Sequence, residues 1–276
     1  MIKNISIHWF RQDLRLSDNP TLKQAAKHRH VLPIYIIDDE NAGKFTMGDV
    51  SKWWLHYSLL SLNQSLNFNL SVYRGNPLEI FDDIIMRFDI EAVYWNRCYE
   101  PWHINRDTKI KEYLRIKGIN VYTSNSSLLW EPWVIKKKDS SPYKVFTPFY
   151  RKGCLNAKSP REPLPKPESI ECLCDEQGSV GIKAIELLPK MRWDKKLEIH
   201  WQIGEVAAHE RFQKFISEGL NSYKDGRNIP SKPYVSRLSP HLHFGEISPN
   251  QLWHAIRGIG DHKNIDHFCS ELGWRE

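Results

Sequence analysis

The chain has 276 residues, 41% of them hydrophobic, and a formal net charge of +6. That is apolar material for two compact cores, with a mild basic excess compatible with nucleic acid. No apolar run reaches membrane-spanning length and five irregularly spaced cysteines argue against a disulfide framework, so no membrane partner and a reducing, cytoplasmic setting are expected.

β-rich runs at residues 5–10, 31–37, 70–74, 92–95 and 120–122 alternate with helical patterns. The second run is nearly all apolar, as a strand covered on both faces should be. Asn19-Pro20 and Asn76-Pro77 open two helices, and residues 49–66 and 102–117 form two longer ones. This alternation predicts an α/β fold over residues 1–128, a doubly wound parallel five-stranded sheet. No G-x-G-x-x-G follows the first strand, so a dinucleotide site of that kind is not supported. A charged segment, residues 11–20, follows instead. Such a segment lines a ligand crevice or forms a salt-bridged loop, and its chemistry favours the loop.

The pattern breaks down from Leu128. Residues 129–196 read as a long connector: an aromatic, proline-rich stretch, then a semi-rigid spacer with Pro160, Pro163, Pro165 and Pro167. Lys136-Lys137-Lys138 reads as a solvated loop. Cys172-x-Cys174 lacks a second pair, so no metal is expected.

Residues 197–276 are predicted helical. Ala208, Phe212, Phe215 and Ile216 mark one apolar stripe. Ser239-Pro240 and Ser248-Pro249 mark two helix starts, the second with Gln251 as capping-box partner. Gly245 and Gly258 are expected to close these helices at positive φ. Ser236, Arg237 and Ser239 beside a helix start suit a diphosphate, although on spacing alone most Ser-Pro helix starts are only caps. In residues 265–276, Ile265, Phe268, Cys269 and Leu272 form a core stripe, with His267, Glu271 and Trp274 opposite. From the helical wheel alone, Glu271 is plain surface and Trp274 packs on a neighbour.

Four strings carry a family resemblance: WFRQDLRLSDNP from Trp9, SRLSP from Ser236, HFGEISP from His243 and ELGWRE from Glu271. Together they resemble the DNA photolyase and cryptochrome family, most of all its cyclobutane pyrimidine dimer photolyases. The resemblance implies FAD as cofactor in an all-α domain, contacted by Tyr223, Val235, Ser236, Arg237, Leu238, Ser239 and Phe268. It implies damaged DNA as partner, with Arg227 on the backbone and with Glu271 and Trp274 on a flipped dimer. Val235 stands where many members have Thr, and Phe268 where some have Trp. Glu271 favours the cyclobutane branch, since the (6-4) branch tends to have Gln there. An antenna pigment, folate or deazaflavin, is implied for the α/β domain. Tyr99-Glu100 lies in the pteridine region of folate-binding members, but Trp102-His103 replaces their Asn-Glu pair, so no antenna residue is assigned. Members run for roughly as much again, so the FAD-binding domain is expected to be a truncated, N-terminal half. The implied activity is blue-light-driven electron transfer from reduced flavin to the extruded lesion, by a monomer, with no catalytic side chain in this half. The alternatives are a cryptochrome-type light receptor and a non-catalytic remnant.

Overall fold

The computed structural model describes residues 4–229, 231–259 and 263–276. Five parallel strands, β1 (Ile5–Phe10), β2 (His30–Ile37), β3 (Ser71–Arg74), β4 (Ile90–Asn96) and β5 (Asn120–Ser124), form one sheet in the order β3-β2-β1-β4-β5. The strand order reverses between β1 and β4. Helices α1 (Pro20–Ala25), α2 (Asp49–Ser65), α3 (Pro77–Arg87) and α4 (Pro101–Ile116) connect successive strands. Asn19 and Asn76 cap α1 and α3, accepting from the N–H groups of Leu22 and Leu78 ahead of a proline first turn.

β1 is buried along its whole length because both faces of the sheet are covered. On one face Ile7, Trp9 and Ile34 pack with Phe81, Ile84, Ile110 and Leu114 of α3 and α4. On the other, Phe10, Tyr35 and Val72 pack with Trp53, Leu59 and Leu62 of α2. The doubly wound sheet is as expected. Its last two strands are longer than the runs at 92–95 and 120–122, because Asn96 and Ser124 still pair although their side chains are polar. No helix among the described residues is long and apolar enough to cross a membrane.

The connector is divided between two cores. Leu129, Trp130, Ile135, Tyr150 and Cys154 join the helical core, whereas Ile182, Ile185 and Leu187 pack on the α2 side of the sheet. Residues 171–173 are tied to the start of β2, where Val31 donates to Glu171 at 2.9 Å and accepts from Leu173 at 2.8 Å. β3 pairs with β2 only from Ile34 onward, so this part of β2 is open to the connector.

The helical part contains α5 (Glu205–Glu218), α6 (Ser239–Phe244), α7 (Pro249–Arg257) and α8 (Lys263–Gly273). The stripes Ala208, Phe212, Phe215 and Ile265, Phe268, Cys269, Leu272 form its core with Leu252 and Ile256 of α7. Ser248 and Gln251 make the expected capping box. Two other ends differ from expectation. Leu238 rather than Ser239 is the N-cap of α6, and no side chain caps it, because Leu238 already has helical backbone angles. Gly258 ends α7 at φ −69, where helical bonds to His254 and Ile256 suffice.

The charged segment 11–20 fastens the sheet to the helices. Leu14 N–H donates to Phe244 O at 3.1 Å, and Arg15 Nη1 to Gly245 O at 2.8 Å. The Ser248 hydroxyl donates to the Asp18 carboxylate. Glu205, at the start of α5, accepts from Leu16 and Ser17 N–H at 2.8 and 2.9 Å. Trp54 Nε1 donates to Glu246 at 3.1 Å, and the other Glu246 oxygen meets His241 Nδ1. Arg15, Asp18, His241, Glu246 and Ser248 are all buried, so each bond stands in for water that folding removed. Gly245 sits at φ 69, and a Cβ there would lie 2.0 Å from the Gln12 carbonyl oxygen. Only glycine meets both conditions.

Candidate functional site

The loop before α6 and one face of α5 enclose a cleft of about 490 Å³. Val235, Ser236 and Arg237 line it from the loop; Arg211, Lys214 and Phe215 line it from α5. Arg237 adopts φ 54, a left-handed conformation uncommon for a residue with a side chain. Burial and the charge of Arg237 hold the Arg211 guanidinium below the usual arginine range, and Arg211 is braced at 5.1 Å over the Trp201 ring. Glu210 and Glu218 also line the cleft, so three cations face two carboxylates. A diphosphate is an anion such a cleft can accept.

The remaining expected flavin contacts lie apart from it. Tyr223 and Phe268 are buried in the helical core, edge to face at 5.4 Å. Both touch Phe215, at 5.3 and 5.0 Å, so one ring connects them to the cleft wall. Leu238 is buried in the same core. Ser239 is exposed and outside the cleft lining, and the Ser236 hydroxyl accepts from Leu238 N–H at 3.4 Å. In the string HFGEISP, Phe244, Gly245 and Ser248 bond to residues 14–18, and Glu246 bonds to Trp54 and His241.

Arg227 and Glu271 form an ion pair. The Arg227 guanidinium lies 5.5 Å over the Tyr223 ring, and its Nη1 is 3.3 Å from His267 Nε2. The hydrogen bond to Glu271 holds Arg227 above the usual arginine range. Trp274 is 63% exposed and stacks on Phe146 at 3.7 Å, with 9° between the rings; Phe146 stacks in turn on buried Tyr150. Trp274 follows the last residue of α8, so the helical stripe does not fix its direction, and Phe146 does. A Cβ on Gly273 would lie 2.5 Å from the Tyr150 ring, so glycine permits this approach. Sequence reasoning missed Phe146, whose one signal is the aperiodic aromatic run at 143–149.

A second hollow, about 290 Å³, opens at the C-terminal ends of β1 and β2 beside the strand reversal, where doubly wound sheets take ligands. Trp9, Tyr35 and Trp102 give it aromatic walls, Arg11 and Arg106 bring charge, and Phe244 closes it from the helical part. Arg106 lies 4.7 Å over Trp9 and bonds Asp38 and Asp107 at 3.1 and 3.0 Å; Arg11 pairs with Asp107. Trp102 and His103 stack at 3.6 Å. The hydrogen bond with His103 brings Glu100 down to about 2, and burial lowers His103. None of these residues had been assigned a role from the sequence beyond the charged segment itself and the Tyr99-Glu100 region.

Residues 6–168 match the family model for DNA photolyase. A deoxyribodipyrimidine photo-lyase of Agrobacterium fabrum is 38% identical over 278 residues, covering 98% of this chain and 57% of that protein. Cryptochrome-1 of Arabidopsis thaliana is 30% identical over 299 residues, covering 98% of this chain and 42% of its own length. The crystal structure of a bacterial class III photolyase from Agrobacterium tumefaciens superposes with a TM-score of 0.92 at 36% identity, over 100% of this chain and 58% of that one. The chain therefore spans about half the length of these relatives.

Proposed function

The chain belongs to the DNA photolyase family, and on that premise we propose that it serves blue-light-driven, FAD-dependent repair of cyclobutane pyrimidine dimers. The observation that carries this reading is the Arg227–Glu271 pair seated on Tyr223, with exposed Trp274 following within one helical turn. In this reading DNA is held through its phosphates, with Arg227 among the contacts. Trp274 stacks on the extruded pyrimidine pair and Glu271 hydrogen-bonds its edge. Glu271 is already engaged by Arg227, so lesion binding exchanges one partner of that ion pair for another.

Ser236, Arg237, Arg211 and Lys214 at the cleft suit the diphosphate of a flavin dinucleotide, with Val235 beside them. Tyr223, Leu238 and Phe268 would support it from the core behind Phe215, and Ser239 would have to turn in from its exposed position beside the loop. When bound and reduced, FAD supplies the electron after absorbing light. The chain's own part is to hold, orient and exclude water. We assign residues 1–128 to an α/β antenna domain, 129–196 to the connector and 197–276 to the first half of the flavin-binding domain, acting as a cytoplasmic monomer. The hollow beside β1 takes the antenna pigment, a folate or a deazaflavin.

The test is the purified chain mixed with ultraviolet-irradiated oligothymidylate under blue light. Visible flavin absorption with dimer cleavage supports repair; a colourless chain that leaves the dimers intact rejects it. A light receptor is the second reading, favoured by the 30% identity with the Arabidopsis cryptochrome. Photoreduction of bound flavin without dimer cleavage selects that reading.

A further inference from the structure

We propose that Cys98, Glu100 and His103 form a site for one divalent transition cation, Zn²⁺ by preference, in the wall of the hollow beside β1. Cys98 follows β4, Glu100 precedes α4 and His103 lies in the first turn of α4. One ligand atom from each, the Cys98 sulfur, a Glu100 oxygen and a His103 ring nitrogen, lies within 4.8 Å of the other two. Tetrahedral edges at ordinary Zn–N, Zn–O and Zn–S lengths are about 3.3–3.6 Å, so the side chains need to close by little more than about 1 Å. Glu100 Oε2 and His103 Nδ1 are already 2.9 Å apart, a hydrogen bond that would open by about 0.4 Å to take a cation between the two atoms. The stack of Trp102 on His103 holds the ring in place, as supporting contacts do at metal centres.

The donor chemistry selects the ion. Thiolate, imidazole and carboxylate together suit Zn²⁺ or Co²⁺, whereas Mg²⁺ and Ca²⁺ take oxygen alone. Three protein ligands leave a fourth position for water. Arg11 and Arg106 flank the site, but Asp107 pairs with both and Asp38 with Arg106. A dication bound by one thiolate and one carboxylate makes a neutral unit, one charge more positive than the thiol and carboxylate before binding. Cys98 is buried, while Glu100 is exposed and lines the hollow together with His103, which gives the ion a way in. Binding forms one metal–sulfur bond and releases the thiol proton to solvent, and the imidazole ligates through one ring nitrogen with its proton on the other. Sequence reasoning expected no metal and passed over Cys98-x-Glu100-x-x-His103, which straddles a strand end and a helix start with a single cysteine.

The experiment is titration of the chelator-stripped chain with Co²⁺, followed by thiolate-to-cobalt charge transfer in the near ultraviolet and d–d bands in the visible. We expect saturation at one equivalent and displacement by Zn²⁺. The charge-transfer band should vanish in Cys98→Ser, persist in the Cys172→Ser/Cys174→Ser double variant, and need at least roughly tenfold more Co²⁺ in His103→Gln. No band at stoichiometric Co²⁺, or a band that survives Cys98→Ser, overturns the site. Circular dichroism reports whether Cys98→Ser is folded; if it is not, unchanged affinity in His103→Gln is the overturning result.

Discussion

Arg15 Nη1 donates to the carbonyl oxygen of Gly245 at 2.8 Å, joining the segment after β1 to the end of α6 across 230 residues of sequence. Both residues are buried, and the bond sets where the helices sit on the sheet. Gly245→Ala would place a methyl group against the Gln12 carbonyl in a left-handed conformation. The expected loss is about 2–4 kcal/mol of unfolding free energy, read from urea midpoints. A variant within about 0.5 kcal/mol of the parent would show that the two segments can move apart freely.

Trp274→Ala should weaken binding to ultraviolet-irradiated oligothymidylate by about 1–3 kcal/mol, the range for base–aromatic stacking. Thermal stability should hardly change, because the indole is mostly exposed. Phe146→Ala leaves the indole but removes its support, so a smaller loss is expected. Fluorescence anisotropy measures both; equal affinity in parent and Trp274→Ala removes this residue from the DNA surface.

Arg227→Ala should lower the salt slope of DNA binding by about one. Glu271→Gln frees Arg227 from its ion pair. It should raise affinity for undamaged DNA while reducing the preference for damaged DNA. If the preference for irradiated over intact strands stays the same, Glu271 does not read the lesion.

His8 in β1 is fully buried, with its ring edge-on to Phe10 at 4.3 Å and Nε2 3.8 Å from Asp13. Burial lowers its pKa to about 4 although Asp13 opposes the shift. In the unfolded chain it titrates near the ordinary value of about 6.5. Between these values only the unfolded state takes up the proton. Stability from this group is full above about pH 6.5 and falls toward pH 4, by up to about 3 kcal/mol. His56, His103, His209 and His243 are lowered by burial as well, so His8→Asn should flatten part of the acid slope in urea unfolding. An unaltered slope would assign the acid loss to the other histidines.

The sheet was legible because β2 is nearly all apolar after His30 and β1 carries Ile5, Ile7 and Trp9 in alternation, and Asn19, Asn76 and Ser248 acted as caps for the local reasons that make those residues good caps. Ser239 misled because capping depends on the backbone of the residue before it, and Leu238 had already turned helical. The string HFGEISP reads locally as one helix end and one helix start. That Phe244, Gly245 and Ser248 bond to residues 14–18 is tertiary information with no period in the sequence. Of the expected flavin contacts, Val235, Ser236 and Arg237 share one cleft, and Tyr223 and Phe268 are read as easily as core residues. Arg211 and Lys214 escaped notice because a helix's polar face looks like any solvated surface until a loop folds over it.

The bond from Leu14 to Phe244 has an optical consequence. Phe244 closes the hollow beside β1, and its carbonyl belongs to the same set of bonds to residues 14–18 that holds α5 and α6. Hollow and cleft thus share one frame. Two pigments seated in them would keep a constant separation and mutual angle, and swinging of one half against the other would not average their dipole coupling. Excitation would then hop between them at a single rate.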